Sequence, residues 1–181
     1  MKKARAEPDA VCGEDANRLA TFDDWDKFPY IQAIINETMR WRPIVSPLGF
    51  PHVLSRDDTY EGYVLSAGTT VTINQWALCF NQKEYDDHLR FKPDRFLNDK
   101  VWDPIAGHYG FGAGRRACSG YRVAANSLFI LFSRFTYCFD VEEDPVRCLL
   151  LQMFSLHAQV RFNGSILPTP PHRIIRSIPG I

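Results

Sequence analysis

The sequence has no surplus of either charge: 21 Lys and Arg balance 21 Asp and Glu in 181 residues. A neutral chain has no general electrostatic pull toward nucleic acid or an anionic membrane, and no local basic patch stands out to replace it. Cysteine pairs are missing as well. Cys12, Cys79, Cys118, Cys138 and Cys148 are odd in number, widely spaced and contain no C-x-x-C, which argues against a disulfide framework or a zinc ribbon and for a reduced setting. Long apolar runs are absent too: stretches such as Leu128 to Phe132 fall far short of the roughly 20 residues that cross a bilayer. The N-terminal segment is basic but runs into Pro8 and Asp9 without the apolar core of a secretory signal. No internal repeat is visible.

What is present is an ordinary globular composition, 45% hydrophobic, enough for a sizeable core. Ile31, Ile34, Ile35 and Met39 recur at helical spacing behind Pro29, and Pro43 ends the run, so a helix is expected over 29–41. Residues 44–75 place Pro47, Gly49, Pro51, Gly62 and Gly68 between short β-type segments, of which Thr70 to Asn74 alternates best; a small sheet of hairpins is expected. Residues 76–90 return to helical composition, and 91–117 form a long loop rich in Gly and Pro, a length usually reserved for function. From about Cys118 to Phe135 the chain is apolar nearly all round, which describes a helix with neighbours on every side. The fold class expected is mainly α with small β-sheets (α+β).

The sharpest segment runs from Phe111 to Gly120, a glycine-rich loop that delivers Cys118 to the start of that helix. A helix N-terminus offers positive dipole and unpaired N–H groups, which favour thiolate. Arg115 and Arg116 add positive charge, and the glycines let the backbone approach a bulky planar group closely. Such a thiolate is poised to ligate a metal. His88, His108, His157 and His172 lack metal-ligand spacing and read as scattered structural histidines. Glu37 and Arg40, three apart on one helix, face the same side and can pair, and Arg95 can join them in forked hydrogen bonds to the carboxylate.

Phe111, Gly114, Arg116, Cys118 and Gly120 fit F-x-x-G-x-R-x-C-x-G, which resembles the haem-binding loop of the cytochrome P-450 monooxygenases. Glu37 to Arg40 resembles the family's E-x-x-R helix motif, and Pro93 to Phe96 its P-x-R-F loop. The likeness covers about residues 10–145 and divides the chain into a helix remnant and loop (1–27), a haem-proximal part (28–145) and a divergent tail (146–181).

The resemblance implies haem b ligated axially by Cys118, with Phe111, Gly112, Gly114 and Gly120 forming the loop around the sulfur and His52 and Arg116 hydrogen-bonding the haem propionates. It implies that Glu37, Arg40 and Arg95 form a buried triad that locks the loop, and that Ile44, Val45 and Leu48 shape a substrate pocket. An anionic sulfur favours O–O cleavage, so the expected activity is insertion of one oxygen atom of O2 into a small organic substrate. Electrons would come from NADPH through a reductase, docked on positive charge that includes Lys92, Arg115 and Arg122. Relatives of the microsomal type are anchored in the endoplasmic reticulum facing the cytosol.

The family's oxygen-handling helix has no counterpart: Ala67 to Thr70 lacks its acid and sits between hairpin strands. The chain therefore resembles the truncated C-terminal part of a family member, with no catalytic proton-handling residue identifiable. Arg147 to Gln159 does not align with the family's closing hairpin. Two alternatives stand beside the main reading. One is a non-catalytic fragment or relic that keeps the loop without turnover. The other, remote, is a dinucleotide-binding domain, since Gly112 to Ala117 fits G-x-G-x-x-A and Phe135 to Val141 looks like a strand. Asp103, Pro104 and Gly107 spoil the first strand such a domain needs.

Overall fold

The structure is a computed structural model that describes residues 2–13, 18–44, 49–141 and 166–168. Among the described residues, helices α1 (Lys2–Cys12) and α2 (Pro29–Trp41) precede four short strands, and α3 (Gln75–Cys79) and α4 (Tyr121–Cys138) precede two more. The strands are β1 (His52–Val53), β2 (Asp58–Tyr60), β3 (Tyr63–Leu65), β4 (Thr70–Val71), β5 (Phe139–Val141) and β6 (Ile166–Pro168). All three pairings, β1 with β4, β2 with β3 and β5 with β6, are antiparallel. This is the helix-rich α+β class expected. The chain forms two compact units, Met1–Ile31 with Phe129–Ile181, and Gln32–Leu128.

In the first unit, α1 is held by polar contacts at both its ends. Arg5 donates to the carbonyls of Thr136 (3.1 Å) and Phe139 (2.6 Å) at the C-terminal end of α4, where free carbonyls and negative dipole favour a cation. Tyr137 donates its hydroxyl to the Gly13 carbonyl. Glu7 accepts from the N–H groups of Tyr30 (2.7 Å) and Ile31 (3.0 Å), satisfying donors in the first turn of α2; burial nevertheless pushes its carboxyl upward. Asp24, buried, gathers Arg18, Lys27 and the Thr21 N–H around one carboxylate. Trp25 and Phe28 pack their rings on Phe129 at 5.1 and 5.6 Å.

In the second unit the core cluster comprises Ala33 of α2 with Tyr85, Phe96 and Val101. Glu61 and Gly62 both take positive φ, 48° and 84°, in the two-residue loop joining β2 to β3, the twist a tight hairpin requires. The extended run expected over Thr70 to Asn74 pairs only at Thr70 and Val71.

Two expectations are corrected. Residues 76–90 form one short helix, ending at Cys79, and then a series of turns. The carbonyls of Cys79, His88 and Arg90 accept from the Arg40 side chain instead of from a helical ladder, and Asp87 sits at φ 54°. Helix α4, expected to be covered on all sides, buries one stripe among the described residues, Ala125, Phe129, Ser133, Thr136 and Tyr137. Val123 and Leu131 on the same helix are 72% and 59% exposed. The helix begins at Tyr121, three residues after Cys118, and runs on to Cys138. Of residues 135–141 the first four therefore continue the helix and only Phe139–Val141 is strand, and 101–109 form turns, so the outline of a dinucleotide fold is not met. No helix among the described residues is long and apolar enough to cross a membrane.

Candidate functional site

Arg40 is the most demanding residue in the second unit, because its guanidinium is fully buried and presents five N–H donors. All five are used. Nε and Nη2 donate to the two Glu37 oxygens at 2.7 and 2.9 Å. Nη1 donates to the carbonyls of Cys79 (2.8 Å) and His88 (3.0 Å), and Nη2 also to Arg90 (3.3 Å). Phe80 and Tyr85 lie beside the cation at 5.6 and 5.2 Å. Glu37, equally buried, also accepts from the Lys92 N–H at 2.7 Å, which joins helix α2 to the Pro93–Phe96 turn.

Arg95 stands closer to the margin than a forked triad requires. Its Nε lies 3.2 Å from Glu37 Oε2, an ion-pair distance, but the atom makes no hydrogen bond. Its Nη atoms donate to the backbone carbonyls of Asp86, Asp87 and Arg90. The fork expected of Arg95 is thus taken by Arg40, whose position one turn along the same helix aligns its guanidinium edge with the carboxylate.

The glycine loop closes on itself. Cys118 donates its N–H to the Phe111 carbonyl at 2.8 Å, and the Ala117 N–H reaches the Gly114 carbonyl at 3.2 Å. Gly112 and Gly114 take φ of +76° and +65°, the left-handed region that suits glycine. The Cys118 thiol is exposed, three residues ahead of the α4 N-terminus, and a side-chain carbon at Gly120 would come to 3.8 Å from its sulfur. Arg116 ends the Gly114–Arg116 turn with an exposed side chain. His52 is half-buried on β1 opposite Val71. The side chains of His52 and Arg116 make no hydrogen bond or ion pair among the described residues. Ile44 is 75% exposed; Val45 and Leu48 lie outside the described residues.

The segment leading into the loop is held from outside it. Gln75 donates Nε2–H to the Tyr109 carbonyl (2.9 Å), Tyr85 donates its hydroxyl to the Gly107 carbonyl (2.8 Å), and His108 accepts from the Gly110 N–H (3.1 Å). A cleft of about 450 Å³ lies here, lined by Tyr85, Ile105, His108, Tyr109, Gly112 and Ala117 among others. Burial pushes the Tyr85 phenol up and the His108 imidazole down to about 4. Gln75, Tyr85 and the Lys92 N–H carry no motif that marks them in the sequence, and His108 reads there as an isolated histidine.

These features define a class: a helix-rich α+β chain built on a buried glutamate–arginine pair and a closed glycine loop that presents an exposed cysteine ahead of a long helix. The chain matches the family Cytochrome P450 over residues 1–169, a span that continues through Arg147 to Gln159, where motif reading alone finds no alignment. Cytochrome P450 monooxygenase macC of Penicillium terrestre is 41% identical over 153 residues, covering 80% of this chain and 28% of that protein. Cytochrome P450 monooxygenase patH of Aspergillus clavatus is 40% identical over 161 residues, covering 81% of this chain and 30% of that protein. A solved zebra fish cytochrome P450, in a structure with abiraterone, aligns with a TM-score of 0.69 at 33% identity, covering 80% of this chain and 32% of the other. The chain belongs to the cytochrome P450 family, a family of haem proteins. It spans about 28% of the length of the relative from Penicillium terrestre.

The residues present fit that cofactor. The soft donor is a thiol open to solvent, the loop around it carries glycines at 112, 114 and 120, and the Arg116 guanidinium has no partner among the described residues. Closing the loop at Phe111 and Cys118 directs the sulfur without using the sulfur itself.

Proposed function

We propose that this chain carries the haem-thiolate centre of a monooxygenase acting on a small organic substrate. The observation that carries the reading is the closed loop of Phe111 to Cys118 with its exposed thiol and its left-handed glycines. Cys118 would supply the sulfur ligand of the haem iron. Phe111, Gly112, Gly114 and Gly120 would form the loop around that sulfur, and Arg116 and His52 would be the propionate donors. Haem bound through a thiolate activates O2 with two electrons and two protons, one oxygen atom entering a C–H bond of the substrate and the other leaving as water.

The chain's own residues prepare that chemistry. Glu37, Arg40 and the Lys92 N–H fix helix α2 against the turns of 79–96; Gln75 and Tyr85 hold the strand of backbone that leads to the thiol. Ile44 with Val45 and Leu48 belongs to the substrate side. Electrons come from an NADPH-dependent reductase, with Arg115, Arg122 and Lys92 as the cationic groups that meet it.

The test is to express residues 1–181, add haem, reduce under carbon monoxide and record the absorbance spectrum. A thiolate-type carbonyl band that is lost in Cys118→Ser supports the reading. Haem uptake with no such band, or no uptake, overturns it for this chain and leaves a loop without turnover.

A further inference from the structure

His108 lies outside the cysteine motif and has no ligand spacing with any other histidine, yet its surroundings are specific. The ring is 5% exposed. Phe96 and Phe111 pack against it at 6.3 and 5.9 Å between ring centroids. Its Nδ1 accepts from the Gly110 N–H at 3.1 Å, and an imidazole that accepts at one nitrogen carries its proton on the other. That other nitrogen, Nε2, has no hydrogen-bond partner. Burial keeps the ring in this neutral form, against the pull of the Pro104 carbonyl and the Asp103 carboxylate.

The hydrogen bond at Gly110 acts where the backbone has no room to move. A side-chain carbon on Gly110 would stand 2.7 Å from Met39 Cε, 3.2 Å from Met39 Cβ and 3.2 Å from His108 Nδ1. Gly110 is therefore clamped between the E-x-x-R helix, through Met39, and the imidazole. The next residue is Phe111, whose carbonyl takes the Cys118 N–H at 2.8 Å and whose ring leans on His108. Position is transmitted over one residue, from Gly110 to Phe111, and then across one hydrogen bond to Cys118.

We infer that His108 is a positioning residue for the Cys118 loop: it holds Gly110 against Met39, and so sets the Phe111 carbonyl that fixes the Cys118 backbone. This deepens the haem-thiolate reading and rests on it for its functional meaning, while the positioning itself is a property of the polypeptide.

Three variants of the 181-residue chain separate position from bulk. In His108→Asn the side-chain oxygen occupies the place of Nδ1 and still accepts from Gly110. In His108→Gln the amide reaches too far to do so, and in His108→Phe the volume stays without an acceptor. The readout is amide hydrogen exchange resolved at Gly110 and Cys118, which needs no haem. Gln and Phe should speed exchange at both amides by about tenfold, the effect of one lost hydrogen bond, and Asn should match the parent. Unchanged Cys118 exchange in His108→Gln, or equal losses in Asn and Gln, overturns the inference. If His108→Phe does not fold, the Asn and Gln pair decides. Haem added to the same proteins gives a second readout: the thiolate-type carbonyl band should weaken in Gln and persist in Asn. A parent chain that takes up no haem overturns the proposed function, and the exchange comparison still decides the role of His108.

Discussion

Arg40 and Glu37 form a doubly hydrogen-bonded ion pair that is completely removed from water, with Nε–Oε2 at 2.7 Å and Nη2–Oε1 at 2.9 Å. The pair is also the junction at which α2 meets three backbone carbonyls of the 79–90 segment and the N–H of Lys92. Its value lies less in the charge pair than in what happens when one member is removed, since a buried charge left alone is costly.

Arg40→Lys is accordingly a severe substitution. An ammonium has three donors on a flexible stem and cannot serve five acceptors arranged around a planar fork. With at least two of the five acceptors left unpaired, the expected loss is about 2–5 kcal/mol, read as a fall in the urea midpoint with the slope unchanged. Arg95→Lys, by contrast, keeps a cation near Glu37 and loses the forked donation to the carbonyls of Asp86, Asp87 and Arg90, and should cost less, about 1–2 kcal/mol.

Much of this arrangement is legible in the sequence, and the reasons differ by element. Helix α2 spans Pro29–Trp41 as expected, because a proline start, a 3.6-residue apolar repeat and a following proline are all local signals. The pairing of Glu37 with Arg40 follows from the same spacing. The segment 76–90 is misread because its composition suits a helix, while a side chain 39 residues earlier in the chain, Arg40, takes the Cys79 carbonyl. No local window contains that competitor. Helix α4 looks apolar all round, but the sequence cannot say which face is covered. His108 is unreadable for a related reason: its role depends on Gly110 and on Met39, which only the fold brings together.

Gly110→Ala tests that contact. Its φ is not in the left-handed region, so strain arises from space alone: the added carbon meets Met39 Cε at 2.7 Å and Met39 Cβ at 3.2 Å. Overpacking of this kind should cost about 1–3 kcal/mol. Adding Met39→Ala removes Cε, the nearer obstruction, and leaves only the milder contact with Cβ, so the double variant should be more stable than the two separate losses predict. A denaturation cycle over the four proteins gives the coupling directly; simple additivity would show that Met39 does not press on this position.

Acid should act on the first unit through Asp24. The Arg18 guanidinium foremost, aided by the Thr21 N–H and Lys27, holds the Asp24 carboxyl well below the usual range, against the opposing effect of burial. A depressed folded value means that the folded state resists protonation. The stabilisation is therefore complete above the unfolded value of about 3.9 and fades as pH falls from there through the folded one. Asp24→Asn should lower stability at neutral pH and flatten the acid limb of a stability profile recorded by urea titration between neutrality and strong acid. A parallel profile in parent and variant would remove Asp24 from the account.

Apolar side chains left in water should make the chain associate. Val64 and Tyr63 on the hairpin are 75% and 73% exposed, and Val123 and Leu131 on α4 are 72% and 59% exposed. Exposed apolar surface of this kind marks a contact surface or an aggregation liability. Sedimentation at increasing concentration should show self-association, and Val123→Glu with Leu131→Glu should reduce it without lowering the unfolding midpoint, because neither side chain is packed. A parent chain that stays monomeric over the same range would contradict this.

The thiols should separate by accessibility. Burial pushes those of Cys12, Cys79 and Cys138 up, and Cys79 is wholly enclosed, so each presents little thiolate to an electrophile. Cys118 is exposed. With Cys148, which lies outside the described residues, replaced by serine, a maleimide should label Cys118 well before the other three, as mass spectrometry of digested samples would show. Because the loop is closed through the Cys118 backbone rather than its sulfur, Cys118→Ser should change folding stability by no more than about 0.5 kcal/mol while abolishing the fast label and the thiolate-type carbonyl band together. Loss of stability in that variant would mean that the sulfur supports the fold, and the absent band could then no longer be assigned to the missing ligand alone.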